Sequence, residues 1–177
     1  MDVNKLRQFQ LTSETDIKPF RCKDDDLNDF LYDDAKYFQN ELMAVTYLLE
    51  SMELNKTVAY YSLLADKIIF NPEDKCVWNK LNRNIPNSKR RRSYPAVKIG
   101  RLAVNEDFAG EGIGTFILDS IKYAFVNVKR LGCRFITVDA LKSAADFYQK
   151  NGFLFFTEQD KEEDTRLMFF DLKNFVI

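Results

Sequence analysis

The chain has 177 residues, 26 Lys and Arg against 27 Asp and Glu, three cysteines and no histidine. A formal charge of −1 excludes a surface built as a whole for nucleic acid, while leaving room for a local basic patch. Without histidine, histidine-dependent catalytic triads and the commonest metal ligand are excluded, so no metal site is expected.

A hydrophobic content of 46% fits one globular domain over residues 1–177 with a sizeable core. No run of 18 apolar residues and no basic-then-apolar leader is found, so a soluble cytoplasmic protein is expected. Cys22, Cys76 and Cys133 are far apart and form no Cys-x-x-Cys pair, which predicts free thiols in a reducing compartment.

In chain order, Leu6, Phe9 and Leu11 anchor a first strand and its approach within residues 1–20. Asp24, Asp25 and Asp26 then open a helix whose apolar face is Leu27, Phe30, Leu31, Ala35 and Phe38. Carboxylates in a first helical turn oppose the positive end of the dipole. With Asp29, Asp33 and Asp34 they also make an acidic rim able to attract a cationic acceptor or partner. Residues 44–50 and 57–65 read as two strands around a turn at 53–56. Residues 66–93 hold the sole tryptophan, Trp78, a short helix near 74–81, and the basic run Lys89, Arg90, Arg91 and Arg92. Such a run is either a solvated loop or a loop that contacts phosphates.

Residues 96–104, opened by Pro95, predict a strand. The cluster Phe108-Ala109-Gly110-Glu111-Gly112-Ile113-Gly114-Thr115 follows, and Ile113, Phe116, Ile117, Ile121, Ala124, Phe125 and Val128 then mark one face of a long helix. Strand, glycine turn and helix in that order put free N–H groups at a helix N-terminus, where the dipole favours an anion. The turn lacks the lysine of a P-loop, and its third glycine comes one residue early for a dinucleotide fingerprint. The alternative is a tight turn that uses glycine for positive φ and binds nothing. A second strand over 133–139 leads into a helix over 144–151, stopped by Asn151 and Gly152. Two more strands, 153–157 and 165–172, flank an acidic hairpin loop at 158–164.

Leu102, Ala103 and Val104, then Gly110, Gly112 and Gly114, then Ala144, Phe147, Tyr148, Gly152 and Phe153, together resemble the GNAT superfamily of acetyl-CoA-dependent N-acetyltransferases. In that family a strand ending Leu-x-Val precedes an Arg/Gln-x-x-Gly-x-Gly/Ala turn, and Ala-x-x-Phe-Tyr-x-x-x-Gly-Phe follows a later strand. The resemblance implies the GNAT fold: α/β, a mixed, mostly antiparallel central sheet flanked by helices in a single domain. It implies acetyl-CoA as co-substrate, with the pantetheine arm and thioester on the backbone of Leu102, Ala103 and Val104. The pyrophosphate would lie on Ala109, Gly110, Glu111, Gly112, Ile113, Gly114 and Thr115. Tyr148 would be the general acid that protonates the departing thiolate. Ala109 stands where the family usually has Arg or Gln, and Leu141 where many members have Asn, which implies weaker cofactor binding. Glu50, Glu106 and Asp139 fall near strand ends as solvated carboxylates, and no general base is assigned.

Phe20-Arg21-Cys22-Lys23, followed by Leu27, Phe30, Leu31 and Ala35, resembles the opening of GNAT toxins from toxin–antitoxin pairs, which acetylate the amino group of aminoacyl-tRNA. Those usually have Gly where Lys23 stands. Three functions are therefore open. The first is an N-acetyltransferase acting on an amine that the sequence does not name. The second is a tRNA-acting toxin with an antitoxin partner, holding tRNA through Lys89, Arg90, Arg91 and Arg92, with Lys80 and Arg83 nearby. The third is a non-catalytic acyl-CoA-binding or interaction module. No membrane partner is expected, and a homodimer is compatible with all three.

Overall fold

The computed structural model describes residues 2–83, 85, 92–128 and 131–175. Among them are seven strands: β1 (Leu6–Gln10), β2 (Val45–Ser51), β3 (Lys56–Ile69), β4 (Ser93–Val104), β5 (Phe135–Leu141), β6 (Leu154–Phe155) and β7 (Thr165–Asp171). The helices are α1 (Asp25–Asp29), α2 (Ala35–Asn40), α3 (Lys75–Arg83), α4 (Ile113–Asn127) and α5 (Ala145–Lys150). The strand order is β1-β2-β3-β4-β5-β7-β6, and the pairs β1–β2, β2–β3, β5–β7 and β6–β7 are antiparallel. The result is a mixed α/β fold with a mostly antiparallel sheet. By packing, the chain divides into two compact units, Met1–Leu64 with Ile99–Ile121 and Ala65–Lys98 with Lys122–Ile177.

In the first unit, Asp24 caps α1 by accepting the Leu27 N–H at 3.4 Å. A π-helical turn over Phe30–Asp34, in which the Ala35 N–H reaches the Phe30 carbonyl, joins α1 to α2. This wider turn keeps Phe30, Leu31 and Ala35 all buried, and no side-chain periodicity foretold it. The three pack with Leu11, Leu48 and Tyr60 on the sheet. The Tyr60 ring stacks on Phe30 at 6.2 Å, and its hydroxyl donates to the Leu27 carbonyl at 2.6 Å, so the helical segment is fixed to β3 by both ends of one side chain. At the end of α2, the Met43 N–H bonds the Phe38 carbonyl and the Leu42 N–H bonds the Gln39 carbonyl. That is a Schellman ending with leucine, not glycine, at its left-handed position, φ 60°.

In the second unit, Ile68, Trp78, Leu81, Tyr94, Phe135 and Phe169 form the core of one cluster. It explains two differences from the sequence reading. β3 continues to Ile69 because Ile68 is buried here, and β4 begins at Ser93 because Tyr94 packs on Trp78 at 5.2 Å. Pro95 therefore lies inside the strand, where its carbonyl accepts the Arg134 N–H at 3.0 Å. α3 starts after Asn71, whose side chain accepts the Glu73 N–H, with Pro72 following. The stripe expected along α4 stops short: Ala124 and Val128 are exposed, and Lys122 is buried in their place. The Lys122 ammonium donates to the Asn151 carbonyl at 3.0 Å and sits 4.6 Å from the centre of the Phe170 ring. β6 is only two residues long, because Phe156 turns into the core and Asp160 draws the acidic loop onto β7 through Arg166 and the Leu167 N–H.

Candidate active site

The glycine turn begins where β4 ends. Asn105 is 3% exposed and stops the strand. Its N–H donates to the Val58 carbonyl at 2.9 Å, its side-chain amide donates to the Thr57 carbonyl at 3.0 Å, and its side-chain oxygen accepts the Asp107 N–H. Next door, the Glu106 N–H bonds the Arg21 carbonyl at 2.8 Å. The residues 20–23 are in turn clipped to the helical segment. Asn28 exchanges two bonds with Cys22, and the Tyr32 hydroxyl bonds both the N–H and the carbonyl of Phe20. The sequence reading missed Asn105, Asn28 and Tyr32. An Asn directly after a strand and before two acidic residues signals a local capped turn, though not its burial or its distant partners.

Gly110 and Gly112 have φ of +83° and +80°, and nothing stands within 4 Å of a Cβ built on either. Both are exposed, so their left-handed backbone, and not close packing, is what requires glycine. Gly114 lies inside α4 and takes no positive φ. The first bond of that helix runs from the Phe116 N–H to the Gly112 carbonyl at 3.0 Å. The N–H groups of Ile113, Gly114 and Thr115 therefore precede the ladder, at the positive end of a 15-residue dipole. An open turn of this kind, without side chains at Gly110 and Gly112, fits a pyrophosphate through its backbone. Of the strand residues, Ala103 is buried against the first unit's core, while Leu102 and Val104 are half-buried.

In the second unit, Tyr148 is 6% exposed. α5 ends in a Schellman motif: Gly152 has φ +84°, its N–H bonds the Gln149 carbonyl, and the Phe153 N–H returns to the Tyr148 carbonyl at 3.0 Å. The motif's apolar contact is the Tyr148 ring on Phe153, 5.3 Å between centres. Among the described residues the phenol makes ring contacts, with Phe147 and Phe153, and no hydrogen bond. Burial pushes its pKa above the ordinary tyrosine value.

Residues 76–154 match the family model of the acetyltransferase (GNAT) domain. Among solved structures, a Tyr-to-Phe mutant of KacT is 22% identical over 96% of both chains, with a TM-score of 0.75. A mutant AtaT toxin bound to the C-terminus of the antitoxin AtaR and acetyl-CoA is 21% identical, covering 96% of this chain and 94% of that one at a TM-score of 0.72. AtaT complexed with acetyl-methionyl-tRNAfMet is 23% identical over 95% of both chains, also at 0.72. The chain has the GNAT fold.

Where GNAT proteins usually carry Arg or Gln in the turn, Ala109 is exposed and offers only backbone. Leu141, at the family's frequent Asn position, ends β5 and is 44% exposed. The three carboxylates weighed as bases are differently placed. Glu106 is exposed beside Arg21, and Asp139 is ion-paired with Lys98. Glu50 is not a solvated carboxylate at all. It is 2% exposed, Lys18 is 3.9 Å away, one of its oxygens has no hydrogen-bond partner among the described residues, and burial raises its pKa. In the basic run, Lys89, Arg90 and Arg91 lie outside the described residues, whereas Arg92 is exposed, as are Lys80 and Arg83 near the end of α3. The three cysteines are free. Among the described residues, no group of three His, Cys, Asp or Glu could hold a metal, and no helix is long and apolar enough to cross a membrane.

Proposed function

We propose that this protein is an acetyl-CoA-dependent N-acetyltransferase. The observation that carries the reading is the glycine turn, with two left-handed glycines open to solvent ahead of the free N–H groups of α4. Residues 110–115 hold the pyrophosphate through backbone amides, and the backbone of Leu102, Ala103 and Val104 holds the pantetheine arm and thioester carbonyl. Because Ala109 and Leu141 contribute no polar side chain, affinity rests on these amides.

Acetyl-CoA supplies an activated acetyl group as a thioester. The neutral acceptor amine attacks the carbonyl carbon, a C–N bond forms and the C–S bond breaks, with its electron pair leaving on sulfur. Tyr148 donates its hydroxyl proton to that thiolate. The proton lost by the acceptor nitrogen passes through water, restores the phenol, and balances the reaction to amide plus free thiol. Burial keeps Tyr148 protonated throughout the physiological range. It also makes the phenol a weak acid, so transfer is favourable only while the thiolate is held equally out of water. No carboxylate is needed as base.

A second proposal concerns the acceptor. The likeness to AtaT and KacT runs over nearly the whole of both chains, and the residues 20–23 that resemble the toxin opening are built into the exit of β4. AtaT has been solved with acetyl-methionyl-tRNA and with an antitoxin segment. We therefore favour the amino group of an aminoacyl-tRNA as acceptor, an antitoxin as partner, and the cytoplasm as location. The test incubates the purified protein and acetyl-CoA with charged tRNAs, free amino acids, peptides and polyamines, following thiol release and the acetylated product. No thiol release with any amine would remove the enzymatic reading. Release with polyamines or peptides but not charged tRNA would remove the toxin reading alone.

A further inference from the structure

β5 places Phe135, Thr137 and Asp139 on one face, opposite Asp171, Phe169 and Leu167 of β7. That face begins as aromatic core and then becomes polar, with Thr137 2% exposed. Polar residues on a core face are the informative kind of burial. Here they wall a cavity of about 260 Å³, with Asp66 of β3 and Lys98 of β4. Its apolar floor is Ile68, Phe156, Leu167 and Phe169.

The lining carries two carboxylates, Asp66 and Asp139, and two lysines, Lys67 and Lys98. Lys98 and Asp139 are ion-paired with each other, so neither is free for a ligand of opposite sign. Asp66 accepts a hydrogen bond from the Thr137 hydroxyl, which fixes its carboxylate. Among the described residues, no cation lies within ion-pairing distance of Asp66. Lys67 and Ile69 border the cavity too, and both are exposed. A positioned carboxylate that no cation among the described residues pairs with, beside an apolar floor, matches an ammonium carried on an apolar group. A metal ion would require several oxygen ligands and would leave the floor unused. The volume suits one amino-acid side chain with its amino group and falls below that of a pocket for a drug-sized molecule.

We infer that this cavity binds a primary amine bearing an apolar side chain, with the ammonium on Asp66 and the side chain on Phe156, Leu167 and Phe169. As the seat of the acceptor, whose ammonium would first lose one proton to water to become the neutral attacking amine, it rests on the N-acetyltransferase reading. As an amine site, it stands apart from that reading.

The experiment is calorimetric titration of the full chain, without acetyl-CoA, using L-methioninamide and L-phenylalaninamide as probes. N-acetyl-L-methioninamide serves as the uncharged control. The amides bind, and the control binds at least about tenfold more weakly because the charge-assisted hydrogen bond is gone. Asp66→Asn weakens the amides by about tenfold or more. Leu167→Trp, which fills the floor and leaves the carboxylate, weakens them similarly. Should Asp66→Asn not fold, the acetylated control and Leu167→Trp carry the same decision. Equal binding of amide and control, unchanged affinity in a folded Asp66→Asn, or no binding of either amide would overturn the inference. Amides that bind as described yet release no thiol on adding acetyl-CoA would leave the site standing and count against the transferase reading. Acetylation of charged tRNA by Asp66→Asn with an unchanged KM would do the reverse.

Discussion

Replacing Gly112 separates a turn that holds an anion from one that is merely tight. At φ +80°, with nothing within 4 Å of the added Cβ, Gly112→Ala meets no clash, and its whole cost is conformational. That cost is about 1–2 kcal/mol, or a five- to thirty-fold loss of acetyl-CoA affinity if the bound turn must keep this geometry. Aspartate tolerates the left-handed region better than alanine, so on conformation alone Gly112→Asp should bind acetyl-CoA at least as well as Gly112→Ala. A pyrophosphate reverses the order. Two unit charges about 5 Å apart at an effective dielectric of about 20 repel by roughly 3 kcal/mol, more than a hundredfold in affinity. Titration calorimetry with acetyl-CoA should rank wild type above Ala and Ala far above Asp, with the Asp deficit shrinking as salt is added. If the two variants fold and Asp binds as tightly as Ala, no anion lies against this turn.

Three further perturbations follow from the geometry. Tyr148→Phe keeps both ring contacts and should barely change the melting temperature, while turnover falls by about 10²–10⁴ with unchanged acetyl-CoA affinity. Since burial raises the phenol's pKa and the protonated form is the active one, wild-type turnover should show no alkaline loss from Tyr148 up to about pH 10; a limb near neutrality, absent in Tyr148→Phe, would contradict this. Leu42→Gly removes the penalty of a left-handed leucine whose side chain, 92% exposed, packs on little, so the protein should gain about 1 kcal/mol, or roughly 2–4 °C in melting temperature; a lower midpoint would mean that Leu42 makes a contact worth more than its strain. Glu50 has a raised pKa when folded, so its contribution to stability declines as pH rises from the unfolded value through the folded one. Glu50→Gln should therefore be about 1 kcal/mol more stable at pH 7, with the gap closing toward pH 4; a variant less stable at pH 7 would show that the Lys18 contact outweighs desolvation.

The elements nearest the turn were legible because local rules and packing agree there. Glycines at Gly110, Gly112 and Gly152 signal left-handed backbone, and all three take it. Features that only tertiary context decides were not legible. Lys122 sits at a helical spacing that reads as surface, yet its stem is buried and its ammonium is satisfied by Asn151 and Phe170. Pro95 reads as a strand opener until Tyr94 finds Trp78 across the fold. Glu50 looked solvated because a carboxylate usually is, and a bulge in the β2–β3 pairing between Leu49 and Glu50 marks where that expectation fails. Of the proposed site, the backbone cradle and Tyr148 are read from motifs. Asn105, which stops β4 and orients the turn, is not, since its partners Thr57 and Val58 lie almost fifty residues away in sequence.

The basic run remains the test of whether an aminoacyl-tRNA is the acceptor. Arg92 is exposed, with its carbonyl bonded to the Phe70 N–H at 2.8 Å, and the exposed cations Lys80 and Arg83 end α3. Each phosphate neutralised adds roughly 0.7–0.9 to the log–log slope of affinity against salt. Changing Arg90, Arg91 and Arg92 together to Ala should then lower that slope by roughly 2–3. Over a fourfold rise in salt, the wild type should lose about 30-fold more affinity for tRNA than the variant loses. A small amine has no phosphates, so its KM should respond weakly to salt and not at all to the triple change. Filter binding of charged tRNA across a salt series, alongside acetylation of the same tRNA, measures both quantities. A chain of net charge −1 lacks the broad positive field that would hold tRNA anywhere, so the whole salt dependence should reside in this patch. An unchanged slope in the variant would show that these arginines touch no phosphate, and no tRNA binding by the wild type at low salt would exclude aminoacyl-tRNA as acceptor and leave the small amines.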